Sequence, residues 1–318
     1  MAGENMRTRV LGAFAIAWML TGVMFAVDFA TMGRFGLSLI HEWYPQSVET
    51  CVMTLLICGV LVGIGRIPRY REIAEKFRCR DIALSVLCFR TVTMNAQAAV
   101  IATYIGAAVN RPEIQGALLA WEQSFGFDWL KSYQWVVRYE VIQQVLLFAY
   151  KTISYQMVLL CFLFGLLRRK QELCEMMLIF VISLIFVVAI STWYPAASAF
   201  PYFGIIDSGP ASHLSDYFSA RTGAPMVMNP MAMQGIVSLP SFHAVVAVML
   251  IYVTRNLRFI FPVALALNSV MLASTFSVGG HYLADIGAGV IVGIVTIGLV
   301  RRWFLGYEIA RRPILTGR

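Results

Sequence analysis

Long apolar runs separated by short polar stretches make up most of this chain. Eight apolar segments stand out, at roughly 10–31, 48–65, 81–107, 145–167, 174–193, 241–254, 258–277 and 283–300. Most approach the ~20 residues that carry a helix across a bilayer. Their residues are apolar in continuous runs, not in the two-residue alternation of an outer-membrane barrel, so helices are expected and strands are not. The pattern predicts an all-α, polytopic membrane protein of about eight transmembrane helices. Two connections are long. Residues 108–144 hold Trp121, Phe125, Phe127, Trp129, Tyr133, Trp135 and Tyr139 among charges, as expected of an amphipathic segment with its aromatics at headgroup depth. Residues 194–240 are broken by Pro195, Pro201, Gly204, Gly209, Pro210, Gly223, Pro225 and Pro230, which reads as a loop.

Composition agrees with the pattern. Of 318 residues, 59% are hydrophobic and 13% charged, about half the charge of a soluble domain. The net charge of +8 is explained by basic cytoplasmic loops, and no nucleic-acid partner is inferred. The six cysteines show no CxxC spacing and are expected to be reduced and structural, with no zinc site. Arg7 and Arg9 precede an apolar stretch too long for a cleaved signal core, so the first helix is expected to be retained.

Charge also orients the chain. Arg7, Arg9, the cluster from Arg66 to Arg80, Arg168 to Lys170, Arg255, Arg258 and the arginines of the tail fall on one side of the eight segments. Arg34, Arg111, Lys131, Arg138 and Arg221 fall on the other. The bias predicts cytoplasmic termini in an integral membrane protein of a plasma or inner membrane. It also places two of the four histidines, His243 and His281, together at the outer face.

Those histidines sit in two related stretches, Ser238-Leu239-Pro240-Ser241-Phe242-His243 and Gly279-Gly280-His281-Tyr282-Leu283-Ala284-Asp285. His281 and Asp285 are four residues apart, which places them on one helix face. The carboxylate can fix the imidazole tautomer and leave the other ring nitrogen free as nucleophile or base. Gly279 and Gly280 admit close approach of backbone, and a helix starting there offers N–H groups to an anion. Pro240 fits a first helical turn that Ser238 can cap. Ser241 offers a hydroxyl, and His243 can protonate a leaving oxygen. Two histidines, one nucleophile and one acid, suffice for phosphoester cleavage with no metal and no cofactor.

The first stretch resembles the second signature of the type-2 phosphatidic acid phosphatase superfamily, P-S-G-H. The second stretch resembles its third signature, G-x-H-Y-x-x-D. Phe242 before His243, the Gly-Gly-His-Tyr form, Phe125-Gly126-Phe127-Asp128-Trp129 and Ala149-Tyr150 are similar to the branch of aureobasidin-resistance-type inositol phosphorylceramide synthases. The resemblance covers about residues 81–300. It implies a six-helix catalytic membrane core at 81–318, preceded at 1–80 by a pair of helices and a basic cytoplasmic loop. It further implies His281 as phosphohistidine nucleophile, Asp285 as its orienting carboxylate and His243 as acid. The donor would be a lipid phosphate drawn from the bilayer. With water as acceptor the enzyme is a phosphatase; with a hydroxyl it is a phosphotransferase. The third signature usually begins Ser-Arg, where this chain has Ser274-Thr275, and no K-x6-R-P precedes the second. Phosphate charge must therefore meet other groups: Ser241, Gly280 and helix N-termini, with Arg221 the candidate cation nearest in sequence. Lys151 is placed near the outer end of the fourth span, and His41 and His213 in loops. Arg90, Asn95 and Gln97 make the third span unusually polar, which leaves a transporter or channel as the alternative reading. Oligomeric state is not legible.

Overall fold

The computed structural model describes residues 2–205 and 214–309, so His213 lies outside the described residues. In chain order the elements are α1 (Ala2–Thr31), β1 (Leu37–Leu39), α2 (Trp43–Ile64), α3 (Arg71–Lys76), α4 (Cys79–Ala108), α5 (Gln115–Ser124), α6 (Trp129–Arg138) and α7 (Glu140–Lys151). They continue with α8 (Ile153–Leu166), α9 (Lys170–Trp193), α10 (Ala199–Tyr202), α11 (Leu214–Arg221), β2 (Met226–Met228), α12 (Phe242–Thr254), α13 (Phe261–Ser277) and α14 (Leu283–Ile309). Among the described residues five helices, α1, α2, α4, α9 and α14, are long and apolar enough to cross a membrane. A sixth crossing is available if α7 and α8, bent by 43° at Thr152, count as one, and α12 and α13 are shorter apolar helices. The protein is therefore a helical integral membrane protein. The expectation of no strands needs one correction. Leu37, Ser38 and Leu39 pair in parallel with Met226, Val227 and Met228, tying the turn after α1 to the long 194–240 connection.

The bend at Thr152 has a local cause. Thr152 returns its hydroxyl to the Ala149 carbonyl at 2.7 Å, and its N–H goes to that same oxygen. Such side-chain bonding competes with the helical ladder and bends it. The corner leaves Tyr150 and Lys151 side by side at the mouth of the bundle. At the other end of α8, Arg168 is left-handed (φ 57°). Its N–H goes to Gly165 and that of Arg169 to Phe164, a two-bond closure that satisfies the final carbonyls of the helix.

Helix α9 is the axis of the molecule. Its Met176, Met177, Ile179 and Val181 are fully buried, and with Val10, Ala13, Phe14 and Ala17 of α1, Leu160 and Phe164 of α8 and Met249 and Leu250 of α12 they form the main core. The first helix therefore packs into the same core as the later ones. The polar third span is accounted for by bonds between helices. Arg90 of α4 donates to the Ser47 carbonyl at 3.0 Å and lies 3.2 Å from the Cys51 sulfur, both on α2. Asn95 donates to Thr21 and Gln97 accepts from Trp43. Arg90 thus staples α2 to α4. Where α8 crosses α4, a Cβ on Gly165 would collide with the Ser85 hydroxyl and approach the Asp81 carbonyl at 2.9 Å. Gly165→Val is expected to lower stability by about 1–3 kcal/mol, read as a loss of thermal midpoint in detergent.

Ion pairs gather three basic turns at one end. Asp81 meets Lys170 at 2.9 Å and Arg168 at 3.7 Å, Glu172 meets Arg169 at 3.1 Å, and Glu175 meets Arg255 at 3.0 Å. Arg255 lies just past the end of α12, and His243 lies at its start. A 13-residue helix separates them by about 20 Å. The basic turns and the histidine stretches thus occupy opposite ends of the bundle.

Candidate active site

The two histidine stretches meet. The N–H of Ser241 donates to the Asp285 carbonyl at 3.0 Å. The Ser238 hydroxyl donates to Asp285 Oδ2 at 2.6 Å, and the N–H of Tyr282 reaches the same oxygen at 3.0 Å. His281 Nδ1 lies 3.4 Å from it. One fully buried carboxylate oxygen therefore gathers a hydroxyl, an amide and an imidazole. Its engagement with Nδ1 leaves Nε2 as the ring nitrogen of His281 not taken up by Asp285. The expectation that Ser238 caps α12 is corrected: Ser241 is the N-cap, accepting from Ala244 N–H, while Ser238 serves Asp285.

His281 is held at its backbone as well. Its N–H donates to the Thr275 carbonyl at 3.2 Å, and its own carbonyl accepts from Trp129 Nε1 at 3.0 Å. Thr275, at the position where the resemblance would place an arginine, is buried and contributes its main-chain oxygen. Gly280 is left-handed at φ 64°. A Cβ there would meet the Ser198 hydroxyl and the Phe200 ring, and its carbonyl accepts from Ser198 Oγ and Ala199 N–H, both at 2.9 Å. Gly280 thus lets residues 198–200 close against the His281 turn. The Ser241 hydroxyl is buried as a cap that accepts from the Ala244 N–H, and the Gly280 carbonyl is taken by Ser198 and Ala199.

The N-terminus of α14 is also taken. Glu122 of α5, fully buried, accepts from the N–H of Leu283. Burial, with Asp285 close by, pushes its carboxyl up to about 7 against the pull of the helix N–H groups. The acceptor for this helix end is thus supplied by the protein itself. The aromatic segment divides in the same way. Trp129 is buried, stacking on Tyr133 and Phe203, while Trp121, Phe125, Trp135 and Tyr139 stay exposed. Part of the expected headgroup belt is instead a cover packed over the His281 turn. Sequence reading missed Glu122 and took Trp129 for part of the aromatic belt. The signal for Glu122 was its position three residues after Leu119 on the buried stripe of α5.

Glu122 yields a pH prediction. Its folded value of about 7 lies above the ordinary 4.5, so the folded state keeps a proton that the unfolded chain releases. Its contribution to stability is complete below about 4.5 and is lost as pH rises through about 7. Glu122→Gln keeps an acceptor for Leu283 and removes the titration. The thermal-midpoint difference between wild type and variant should change across pH 4.5–7 and be flat below it.

His243 stands across the site, its ring stacked on Tyr150 at 3.9 Å between centroids. Both histidines open onto one groove of about 960 Å³. Its mouth carries Tyr150, Lys151, Gly279, His243 and His281; its depth is Phe89, Val92, Cys161, Phe180 and Leu184. From Thr103 to Phe89 on α4 the wall runs about 21 Å by helical rise. Lys151 is the one lysine or arginine on this wall among the described residues. Arg221 does not line it. Its guanidinium pairs with Glu113 at 3.3 Å and donates to the Arg111 carbonyl at 2.8 Å.

Comparison with known proteins gives one match: the family model for the PAP2 superfamily fits residues 116–299. Neither the curated proteins nor the solved structures contain a match. The matched region is more than half of the chain, runs from α5 into α14, and includes both histidine stretches, and the chain belongs to the PAP2 superfamily.

Proposed function

We propose that this PAP2-superfamily protein is a membrane-embedded lipid phosphotransferase or lipid phosphate phosphatase working through a phosphohistidine. The observation that carries the reading is the groove: two histidines and a lysine at its mouth, and an apolar trough about 21 Å long below them. A phosphate at the mouth with its hydrocarbon chain in the trough matches that division of polarity.

In the proposed reaction Nε2 of His281 attacks phosphorus and the bond to the leaving oxygen breaks. His243 gives its proton to that oxygen. Asp285, held by Ser238 and the Tyr282 amide, stabilises the positive charge that develops on His281. The acceptor oxygen then attacks the phosphohistidine, His243 takes the acceptor's proton, and the P–N bond breaks to restore His281. The likeness to inositol phosphorylceramide synthases favours a hydroxyl acceptor. Eight crossings follow if α12, α13 and the bent α7–α8 each span. On this reading, which the charge bias supports, both termini are cytoplasmic and the site is at the outer face. Residues 81–318 then form the catalytic core behind the pair of helices in 1–80.

Lys151 is assigned the role of phosphate cation. Supporting this are its place at the mouth beside Tyr150 and the engagement of Arg221 elsewhere. Lys151→Met should raise KM for a lipid phosphate donor about tenfold or more while altering kcat less. The function itself is tested by incubating purified protein in detergent with phosphatidic acid and with an inositol phospholipid, with and without a long-chain alcohol acceptor. Absence of phosphate release and of transfer from both donors would sink the proposal.

A further inference from the structure

We propose that an arginine-lined cavity at the basic end of the bundle binds the phosphate headgroup of an anionic lipid. This site is separate from the histidine groove and lies at the opposite membrane face. The cavity is about 600 Å³ and is walled by Gly65 and Arg66 at the end of α2, Arg71 and Glu75 of α3, and Arg78, Arg80 and Asp81 around the start of α4, with Arg168 beyond. Five arginines face two carboxylates, and those carboxylates are engaged. Glu75 pairs with Arg71 at 3.1 Å, and Asp81 with Arg168 and Lys170. Among the described residues, Arg66, Arg78 and Arg80 have no carboxylate partner. Three uncompensated guanidinium groups around one cavity make a forked, multidentate site for phosphate oxygens.

The backbone is shaped to this arrangement. Arg78 is left-handed, with φ 55°, an uncommon conformation for a residue with a side chain. It ends α3 and starts α4, and it brings Arg78 and Arg80 onto the same cavity as Arg66.

The surroundings favour a lipid over a soluble anion. The segment bearing the site exposes Ile67, Tyr70, Ile73 and Phe77, the last at 62%. Apolar side chains beside a cationic pocket suit the boundary between headgroups and acyl chains. Above the cavity rises α2, almost unburied by protein, exposing Val52, Leu55, Leu56 and Val60. A lipid with its phosphate among the arginines can lay its chains along that face. The histidine groove, which takes a lipid phosphate in the proposed function, lies at the other end of the bundle from these arginines, so binding lost when they are substituted reports this cavity and not the groove.

The test uses the full chain in a nonionic detergent. Dioleoyl phosphatidic acid, dioleoyl phosphatidylcholine and inorganic phosphate are titrated separately while thermal midpoint and retained lipid, by native mass spectrometry, are followed. His281→Ala serves as the reference protein, to prevent turnover. Phosphatidic acid should bind and stabilise it, and Arg66→Gln/Arg78→Gln/Arg80→Gln on that background should weaken binding by about fivefold per arginine removed. Unchanged binding in the triple variant overturns the site. Equal stabilisation by inorganic phosphate and phosphatidic acid overturns the lipid assignment. A photoreactive phosphatidic acid in vesicles, applied to the protein without the arginine substitutions, gives an answer that does not depend on the variant folding. Labelling within 65–81 supports the site, and labelling confined to other segments overturns it.

Discussion

His281→Ala is expected to reduce phosphate release or transfer by roughly 10⁴-fold or more, the scale seen when a nucleophile that acts with its neighbours is removed. The residue is 6% exposed, Nδ1 is committed to Asp285, and both backbone polar groups are bound. In the proposed reaction Nε2 is the attacking atom, and His281 lines the groove. The loss should appear in kcat, because the groove and Lys151 still bind donor. A second readout isolates the covalent role. Wild type quenched during turnover of radiolabelled donor should carry an acid-labile, base-stable phosphate, and His281→Ala should carry none. Retention of near-full activity by folded His281→Ala protein would remove the phosphohistidine scheme. Ser238→Ala and Asp285→Asn would then have no reason to affect turnover.

His243→Ala is expected to cost about 10²–10⁴-fold with an ordinary alkyl phosphate donor, the range of general acid catalysis. Its distinctive signature is dependence on the leaving group. An alkoxide leaves poorly without a proton, whereas nitrophenolate leaves without help. The variant should therefore recover much of its lost rate with a nitrophenyl phosphate donor, while His281→Ala should not. Equal loss with both donors would mean that His243 positions the substrate or Tyr150, on which it stacks at 3.9 Å, instead of moving a proton. Paired with the donor-binding defect expected of Lys151→Met, these results separate nucleophile, acid and cation by three different observables.

Several features were legible in the chain because they are local. Eight apolar segments predict helices, and each coincides with a helix or, for 145–167, with the bent pair α7 and α8. The bend itself was not legible, since threonines occur in many straight helices. His281 and Asp285 share a helix face by spacing alone, and the one-end gathering of basic turns follows from alternation of spans. The polarity of α4 was visible, but its meaning was not. Arg90, Asn95 and Gln97 are merely polar positions when read along one helix; in the structure they bond to Ser47, Thr21 and Trp43 on other helices.

The sequence by itself determined a helical membrane protein, two histidine stretches, and a charge-marked end. The tertiary structure alone decided how the site is furnished. Ser238 reaches Asp285 across 47 residues, and Glu122 reaches Leu283 across 161. Arg221 is drawn away to Glu113, and Lys151 is turned to the groove by a bend at Thr152. The reason is physical. Apolar periodicity and turn chemistry act over a few residues, so they can be read along the chain. A buried polar group takes whichever partner the packing delivers, because an unpaired one is costly, and that partner is fixed only when distant segments meet.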